Sequence, residues 1–229
     1  MAGKSVFIDT IRCTACRGCQ IACKNWNRNG ASPTKNLGSH QNPPDLDGNT
    51  FKLVRFSELE TDGKLAYYFF PDQCRHCLEP PCKDIALGYV DDSVIQDEAT
   101  GAVVYTAKIK EAPFEEVRSN CPYDIPRQNA KSITVKCTMC IDRVSNGLKP
   151  ACARICPTGA MNFGERAEIL KMANERLAAL KEKYPKAQLL DADQVRVIYL
   201  VTDDPKKYHK NAVATLAPEL RQIASGKRA

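Results

Sequence analysis

The spacing of twelve cysteines among the 229 residues is the feature of this sequence best able to support chemistry. They fall into four groups along the chain. The groups are Cys13, Cys16, Cys19 and Cys23; Cys74, Cys77 and Cys82; Cys121 alone; and Cys137, Cys140, Cys152 and Cys156. The first group reads C-x2-C-x2-C-x3-C, the second C-x2-C-x4-C, and the last C-x2-C-x11-C-x3-C. Such spacing indicates disulfides, a metal ion or an inorganic cluster.

These three uses of cysteine make different demands on spacing. Cysteines separated by only two residues pair poorly with each other as disulfides, and the chain is long enough to form a core without them. Structural zinc takes C-x2-C pairs as ligands, but a third cysteine three residues later has no place in the same tetrahedral site. The run C-x2-C-x2-C-x3-C is typical of [4Fe–4S] clusters, in which the fourth cysteine ligates a different cluster. The spacing favours iron–sulfur clusters, with zinc and disulfides as alternatives.

The cross-ligation rule divides the twelve cysteines into three sets of four. The first triplet needs a remote fourth ligand and the last group ends in Cys156, whereas Cys23 is available to complete the last group. The trio in the middle then has only Cys121 left. The sets are site 1, with Cys13, Cys16, Cys19 and Cys156; site 2, with Cys23, Cys137, Cys140 and Cys152; and site 3, with Cys74, Cys77, Cys82 and Cys121. The sequence thus predicts three [4Fe–4S] clusters.

Charge and hydropathy argue against a nucleic-acid ligand and a membrane span. The chain has 33 Lys+Arg and 27 Asp+Glu, a formal charge of +6. An oxidised cluster with four thiolates carries roughly −2, so three of them offset about six positive charges. The apolar run 65–70 is far shorter than the ~20 residues that a membrane helix needs, and no cleavable signal is recognisable. We therefore expect any export or membrane attachment to depend on a partner.

Several segments around the cysteines resemble the iron–sulfur (beta) subunits of formate dehydrogenases. They are RCTACRGCQIACKNWN at 12–27, NPPDL at 42–46, VRF at 54–56, CPYDIPR at 121–127, KCTMCIDR at 136–143, PAC at 150–152, CPTGA at 156–160 and NFG at 162–164. The similarity extends from about residue 5 to about residue 210. Membrane-bound members of the family carry four clusters and a C-terminal membrane helix, whereas this chain resembles the soluble tungsten or molybdenum enzymes of anaerobes.

The resemblance implies a non-catalytic electron-transfer subunit in a heterodimer. Its partner would be a large catalytic subunit with a W or Mo bis-molybdopterin guanine dinucleotide and one further [4Fe–4S] cluster. Site 1 would face that subunit, and electrons would leave through site 3 to a soluble multihaem cytochrome c. Co-export would place the complex in the periplasm, with the cytoplasm as the alternative. The subunit of another molybdopterin oxidoreductase, acting on thiosulfate, polysulfide or a sulfoxide, is the alternative function.

Shared clusters imply an α+β fold with two interleaved ferredoxin-like lobes and a C-terminal extension. Residues 1–50 with 131–164 would hold two clusters, residues 51–130 one, and residues 165–229 would form a helix, a strand and a basic tail docking on the partner. The tail from residue 205 has six Lys/Arg and one Glu, which suits either a docking arm or a solvated terminus.

Local patterns predict the elements that position the cysteines. Short apolar segments favour a strand pair over 51–56 and 65–70, joined across residues 62–63, and short strands at 103–105 and 194–201. Apolar residues at helical spacing predict a helix over 165–183, and residues 28–49 are expected to form a loop. The three histidines, His40, His76 and His209, are isolated in sequence and are expected at the surface or in loops.

Overall fold

The computed structural model describes residues 3–61 and 63–215, in which short helices alternate with short strands. The strands are β1 Lys4–Asp9, β2 Leu53–Thr61, β3 Lys64–Asp72, β4 Val94–Gln96, β5 Val103–Tyr105, β6 Arg127–Gln128, β7 Thr134–Val135, β8 Met161–Glu165, β9 Gln188–Leu190 and β10 Val197–Val201. The α-helices are α1 Gly18–Trp26, α2 Pro81–Leu87, α3 Phe114–Ser119, α4 Ile141–Val144, α5 Ala151–Ile155, α6 Arg166–Lys181 and α7 Pro205–Tyr208. Two 3-10 helices span Thr10–Arg12 and Ala107–Glu111. This mixture confirms the α+β class.

A four-stranded sheet in the order β8-β1-β10-β9 joins the two ends of the described chain. Strand β1 runs parallel to β10, with Val6 opposite Val197, and antiparallel to β8. All five residues of β10 are buried, as a strand covered on both faces requires. The C-terminal segment therefore contributes a strand to the same sheet as the N-terminus.

The hairpin of β2 and β3 confirms the predicted strand pair and is longer than expected. The strands are antiparallel and pair from Leu53 opposite Asp72 to Thr61 opposite Lys64. Phe70 is fully buried and stacks on Tyr199 of β10, with ring centroids 4.4 Å apart. This stacking packs the hairpin against the four-stranded sheet.

Helix α6 confirms the helix predicted from apolar spacing. Ile169, Ala173 and Leu180 are buried and pack in the same core cluster as Phe7, Ile198 and Leu200 of the sheet. The strand predicted over 194–201 is present as β10, but it begins only at Val197. A turn at 191–195, closed by backbone hydrogen bonds to the Asp191 carbonyl, delays its start. The predicted strand at 103–105 is confirmed as β5.

Residues 28–49 contain no helix or strand, as predicted, and polar contacts hold this loop to the protein. The Lys24 ammonium donates hydrogen bonds to the carbonyl oxygens of Gly30 and Asn49, at 2.9 and 2.7 Å. Asp45 forms ion pairs with Arg55 of β2 and Arg127 of β6, at 2.6 and 2.9 Å. The loop is thereby fixed to both the hairpin and the segment after Cys121.

The start of the basic tail packs onto the folded body. Tyr208 and Ala212 are buried in the core cluster that contains Phe70 and Tyr199, and the Thr215 N–H donates to the Pro122 carbonyl. Residues 216–229, which carry Arg221, Lys227 and Arg228, lie outside the described residues. Whether the tail docks on a partner stays a prediction.

Candidate metal centres

Four cysteines from opposite ends of the cysteine pattern line one cavity of about 300 Å3. They are the cysteines of site 1, Cys13, Cys16, Cys19 and Cys156. Cys13 ends the first 3-10 helix, Cys19 lies in the first turn of α1, and Cys156 follows α5. Helices α1 and α5 pack together, which brings the remote cysteine to the first three. Cys16 is exposed, so this cavity lies near the surface.

The cysteines of site 3 line a second cavity, of about 350 Å3. Cys74 and Cys77 follow strand β3, Cys82 lies in the first turn of α2, and Cys121 follows α3. Helices α2 and α3 are in contact, so Cys121 reaches the trio from a segment about 40 residues away. The rest of the lining is largely apolar and includes Val103, Ile125 and four prolines.

The cysteines of site 2 converge in the interior between these cavities. Cys23, Cys137, Cys140 and Cys152 are all buried. Burial raises the pKa of the Cys23 thiol, and the neighbouring Cys137, Cys152 and Cys140 raise it further through charge repulsion, which places all four close together. For Cys140 the pKa rises to about 11, mainly through burial. Because cysteines bind metals as thiolates, loading this site must release protons.

The three sites form a series in which site 2 lies between the other two. Cys19 of site 1 lies near Cys152 of site 2. Burial raises the pKa of Cys19, and charge repulsion from the Cys152 thiolate raises it further. Cys74 of site 3 is likewise the thiol that most raises the pKa of Cys137 of site 2. The order of the sites is therefore site 1, which contains the exposed Cys16, then the buried site 2, then site 3.

The same backbone turn follows the first cysteine of each closely spaced run. Ala15, His76 and Met139, two residues after Cys13, Cys74 and Cys137, all have left-handed backbone conformations, with φ of 52°, 49° and 58°. The N–H groups of His76 and Met139 point at the sulfurs of Cys74 and Cys137, at 3.4 Å in each case. Burial raises the pKa of the Cys13 thiol, and a hydrogen bond from the Ala15 N–H opposes that rise. Left-handed residues other than glycine are uncommon, and here each one directs an N–H at a thiolate.

The residues around the cavity of site 3 test whether an iron–sulfur cluster suits it. The Tyr105 hydroxyl is buried beside the Cys82 sulfur but makes no hydrogen bond of good geometry to it, and burial followed by the Cys82 thiolate raises the pKa of Tyr105. A buried donor without an acceptor is costly, and an anionic group among these four sulfurs would supply one. Among the described residues, no three Cys, His, Asp or Glu side chains converge closely enough to hold a single metal ion. Four cysteines around one cavity are a donor set that fits a [4Fe–4S] cluster.

Three buried cations lie among the cysteines. Arg75 and Lys136, each next to a cysteine, are 2% and 5% exposed and line the cavity of site 3. Lys52, which no cysteine spacing singles out, is 1% exposed and lies between sites 1 and 2. The only feature of the sequence that could have indicated the burial of Lys52 is its position among the apolar residues at the start of a predicted strand. Among the other basic residues near cysteines, Arg17, Lys24, Lys83 and Arg143 are half-buried, whereas Arg12 is exposed.

His76 lies in the loop that follows strand β3, within the expectation of a surface or loop position, but it is enclosed by the protein. It is fully buried, and its Nδ1 accepts a hydrogen bond of 3.0 Å from the Val103 N–H. Burial, and then the charges of Lys136 and Arg196, keep the pKa of His76 well below its ordinary value. His76 is neutral, and its position follows from the tight turn between Cys74 and Cys77.

Comparison with known proteins gives a consistent family. The model of the 4Fe-4S dicluster domain matches residues 65–166. The formate dehydrogenase subunit beta of Megalodesulfovibrio gigas is 55% identical over 92% of this chain and 99% of its own length. The formate dehydrogenase 2 subunit beta (cytochrome c-553) of Nitratidesulfovibrio vulgaris is 50% identical over 91% of this chain and 98% of its own. The formate dehydrogenase-O iron-sulfur subunit of Escherichia coli is 36% identical over 89% of this chain and 69% of its own length.

The helices of the described residues were also compared with the length and hydropathy of membrane spans. None of them is long and apolar enough to cross a bilayer.

Proposed function

The chain belongs to the family of iron–sulfur (beta) subunits of formate dehydrogenases and serves electron transfer, and we propose that it does so through three [4Fe–4S] clusters. The proposed ligands are the cysteines of sites 1, 2 and 3, four to each cluster. Such a cluster, when bound by four thiolates, takes up and releases one electron at a time. The chain's own residues supply the thiolates, the surrounding N–H donors and the exclusion of water.

The observation that carries this proposal is the convergence of remote cysteines into sets of four. Cys156 lines the same cavity as Cys13, Cys16 and Cys19, and Cys121 lines that of the middle trio. Neither meeting follows from proximity in sequence. Both were expected from the rule that a fourth cysteine ligates a distant cluster.

Exposure and order along the series support a direction for electron transfer. Site 1, which contains the exposed Cys16, would face a large catalytic subunit, whereas the buried site 2 would connect site 1 to site 3. The catalytic subunit would hold a molybdopterin cofactor on W or Mo together with one further cluster. It would oxidise formate to CO2 and a proton with release of two electrons, and the present chain would be the non-catalytic subunit of the heterodimer.

The acceptor and the cellular location follow by analogy. One relative carries cytochrome c-553 in its name, which supports a soluble cytochrome c, in our proposal a multihaem one, as the acceptor at site 3. Such a cytochrome would be met in the periplasm, which the chain would reach by export together with the catalytic subunit.

The proposed division of the chain follows the clusters. Residues 1–50 with 131–164 would form the lobe of sites 1 and 2, and residues 51–130 would form the lobe of site 3. Residues 165–229 would add a helix, a strand and a basic tail that docks on the partner.

The deciding experiment measures metal content and reduction by formate in the anaerobically purified complex. We expect about 16 irons and about 16 sulfides per heterodimer, of which three clusters belong to this chain and one to its partner. Formate should bleach the visible absorption and produce coupled EPR signals of reduced [4Fe–4S] clusters. Four or fewer irons, zinc in place of iron, or spectra that do not respond to formate would overturn the proposal.

A further inference from the structure

Lys52 is the only lysine among the largest fully buried side chains of the described residues. Its Nζ donates hydrogen bonds to the Pro71 carbonyl oxygen, at 3.2 Å, and to Oε1 of Gln73. Both acceptors are neutral oxygens. Lysine is almost never fully buried unless its charge is compensated, so the anionic groups near Lys52 determine what its charge does.

The anionic groups nearest to Lys52 are the cysteines of two different sites. Burial alone would lower the pKa of Lys52, but the thiolates of Cys152 and Cys19 above all hold it above its ordinary value. In return, burial raises the pKa of the Cys13, Cys19 and Cys23 thiols, and the charge of Lys52 opposes that rise at all three. The ammonium therefore acts on thiolates of site 1 and site 2 together.

Gln73 places the ammonium close to one particular sulfur. Oε1 of Gln73 accepts the hydrogen bond from Lys52 and lies 4.0 Å from Sγ of Cys152. Gln73 is 2% exposed, so this arrangement is sealed from water. A charge in such surroundings is weakly screened and acts more strongly than a charge at the surface.

A fixed positive charge near a cluster changes the balance between its oxidised and reduced forms. With four thiolates, a cluster carries roughly −2 when oxidised and roughly −3 when reduced, and local charge is one of the protein's means of setting its potential. A nearby cation stabilises the more negative form and so favours reduction.

We propose that the buried ammonium of Lys52 raises the reduction potentials at site 1 and site 2 together, which favours entry of the electron at site 1 and leaves the driving force from site 1 to site 2 little changed. This inference rests on the proposed function, because it requires clusters at both sites. Lys52 is not a ligand of either cluster; its positive charge acts on the two reduction potentials through space. Site 3 has its own buried lysine in Lys136, which lines that cavity and whose charge opposes the rise that burial causes in the pKa of Cys82.

The test is a redox titration of the loaded heterodimer, followed by EPR, with Lys52→Met as the variant. We expect the equilibrium constant for reduction at sites 1 and 2 to fall at least tenfold, which lowers each reduction potential by about 59 mV for one electron. The reduction potential of site 3 should change by less. Lys52→Arg, which keeps the charge, should restore both potentials towards the wild-type values. The matched variant Lys136→Met should shift site 3 more than sites 1 and 2.

A second variant keeps the inference testable if Lys52→Met binds less iron. Gln73→Glu has nearly the same shape and would place a carboxylate against the Lys52 ammonium, so the two charges would cancel. We expect the potentials at sites 1 and 2 to fall in this variant also. Unchanged potentials at both sites in fully loaded Lys52→Met or Gln73→Glu, or a shift at only one of them, would overturn the inference. A wild-type complex that lacks the clusters would instead overturn the proposed function.

Discussion

Trp26 and Asp142 connect the two segments that carry Cys23 and Cys140 of site 2. The indole Nε1 of Trp26 donates a hydrogen bond of 2.9 Å to Oδ2 of Asp142. The Arg143 guanidinium lies 4.2 Å from the centroid of the Trp26 ring. Trp26 is the last residue of α1 and Asp142 lies in α4, so the contact joins elements 116 residues apart in sequence. This contact therefore stabilises site 2 on the side where Trp26 is exposed to solvent.

We expect Trp26→Leu to weaken site 2, because it removes both the hydrogen bond to Asp142 and the stacking of Arg143. The indole is 42% exposed, so the loss should be about 1 kcal/mol. Anaerobic release of iron to a chelator at a fixed temperature should then be roughly fivefold faster. Tyr67→Leu, which changes an exposed aromatic on β3, is the matched control. Equal rates in both variants and the wild type would contradict this role of Trp26.

The assignment of Cys121 to site 3 makes a prediction about a single cluster. Cys121→Ala should lower the iron content of the complex by up to about four and alter only one EPR signal. Cys156→Ala should alter a different signal, because Cys156 lines the cavity of site 1. Changes in the same signal in both variants, or no change in either, would contradict the pairing.

Local patterns in the sequence predicted the elements that depend on neighbouring residues. The helix over 166–181 follows from apolar residues at helical spacing, and the hairpin of β2 and β3 from two short apolar segments on either side of Gly63. The cysteine groups also depend on short spacing. For these features the information needed lies within a few residues.

Features that depend on distant contacts were not predictable in the same way. The parallel pairing of Val6 with Val197 requires two strands from opposite ends of the chain, and no local pattern selects the partner of a strand. The burial of Lys52 was missed because lysine is ordinarily exposed. The burial of His76 was not predicted, because it follows from the turn between two cysteines and from its hydrogen bond with Val103.

Gly48 allows the loop over 28–49 to approach strand β6 closely. A Cβ atom at this position would lie 2.4 Å from Cα of Asn129 and 2.5 Å from the carbonyl oxygen of Gln128. Both are backbone atoms, so no side-chain rotation relieves the clash. The close contact fixes the loop beside the segment that follows Cys121.

We therefore expect Gly48→Ala to destabilise the protein by about 1–3 kcal/mol, the usual cost of forcing extra atoms into packed structure. The midpoint of anaerobic denaturation by guanidinium should fall accordingly. Gly30→Ala is a matched control in the same loop, since its Cβ would meet only Nδ2 of Asn49, at 4.0 Å. A midpoint for Gly48→Ala equal to that of Gly30→Ala would contradict the argument.

His209 links the stability of the fold to pH. Its side chain is 9% exposed, and Nε2 is buried without a hydrogen bond, 3.9 Å from Oδ2 of Asp72. Burial lowers the pKa of His209, and although Asp72 opposes this, Arg55 and Arg75 add to it, so that the pKa falls from 6.5 to about 4. Between these two values the unfolded chain binds a proton that the folded protein does not.

Stability from the neutral imidazole is therefore present above pH 6.5 and is lost as pH falls towards the folded pKa of about 4. Between pH 7 and pH 5 this loss should be about 2 kcal/mol. His209→Gln cannot titrate, so the free energy of unfolding of the wild type should fall by that amount relative to this variant. Anaerobic denaturation at several pH values measures the difference, and any contribution of the clusters is common to both proteins. His40→Gln, at an exposed histidine, should retain the wild-type dependence. If the wild type and His209→Gln lose stability in parallel between pH 7 and pH 5, the burial of a neutral His209 is not the cause of the pH dependence.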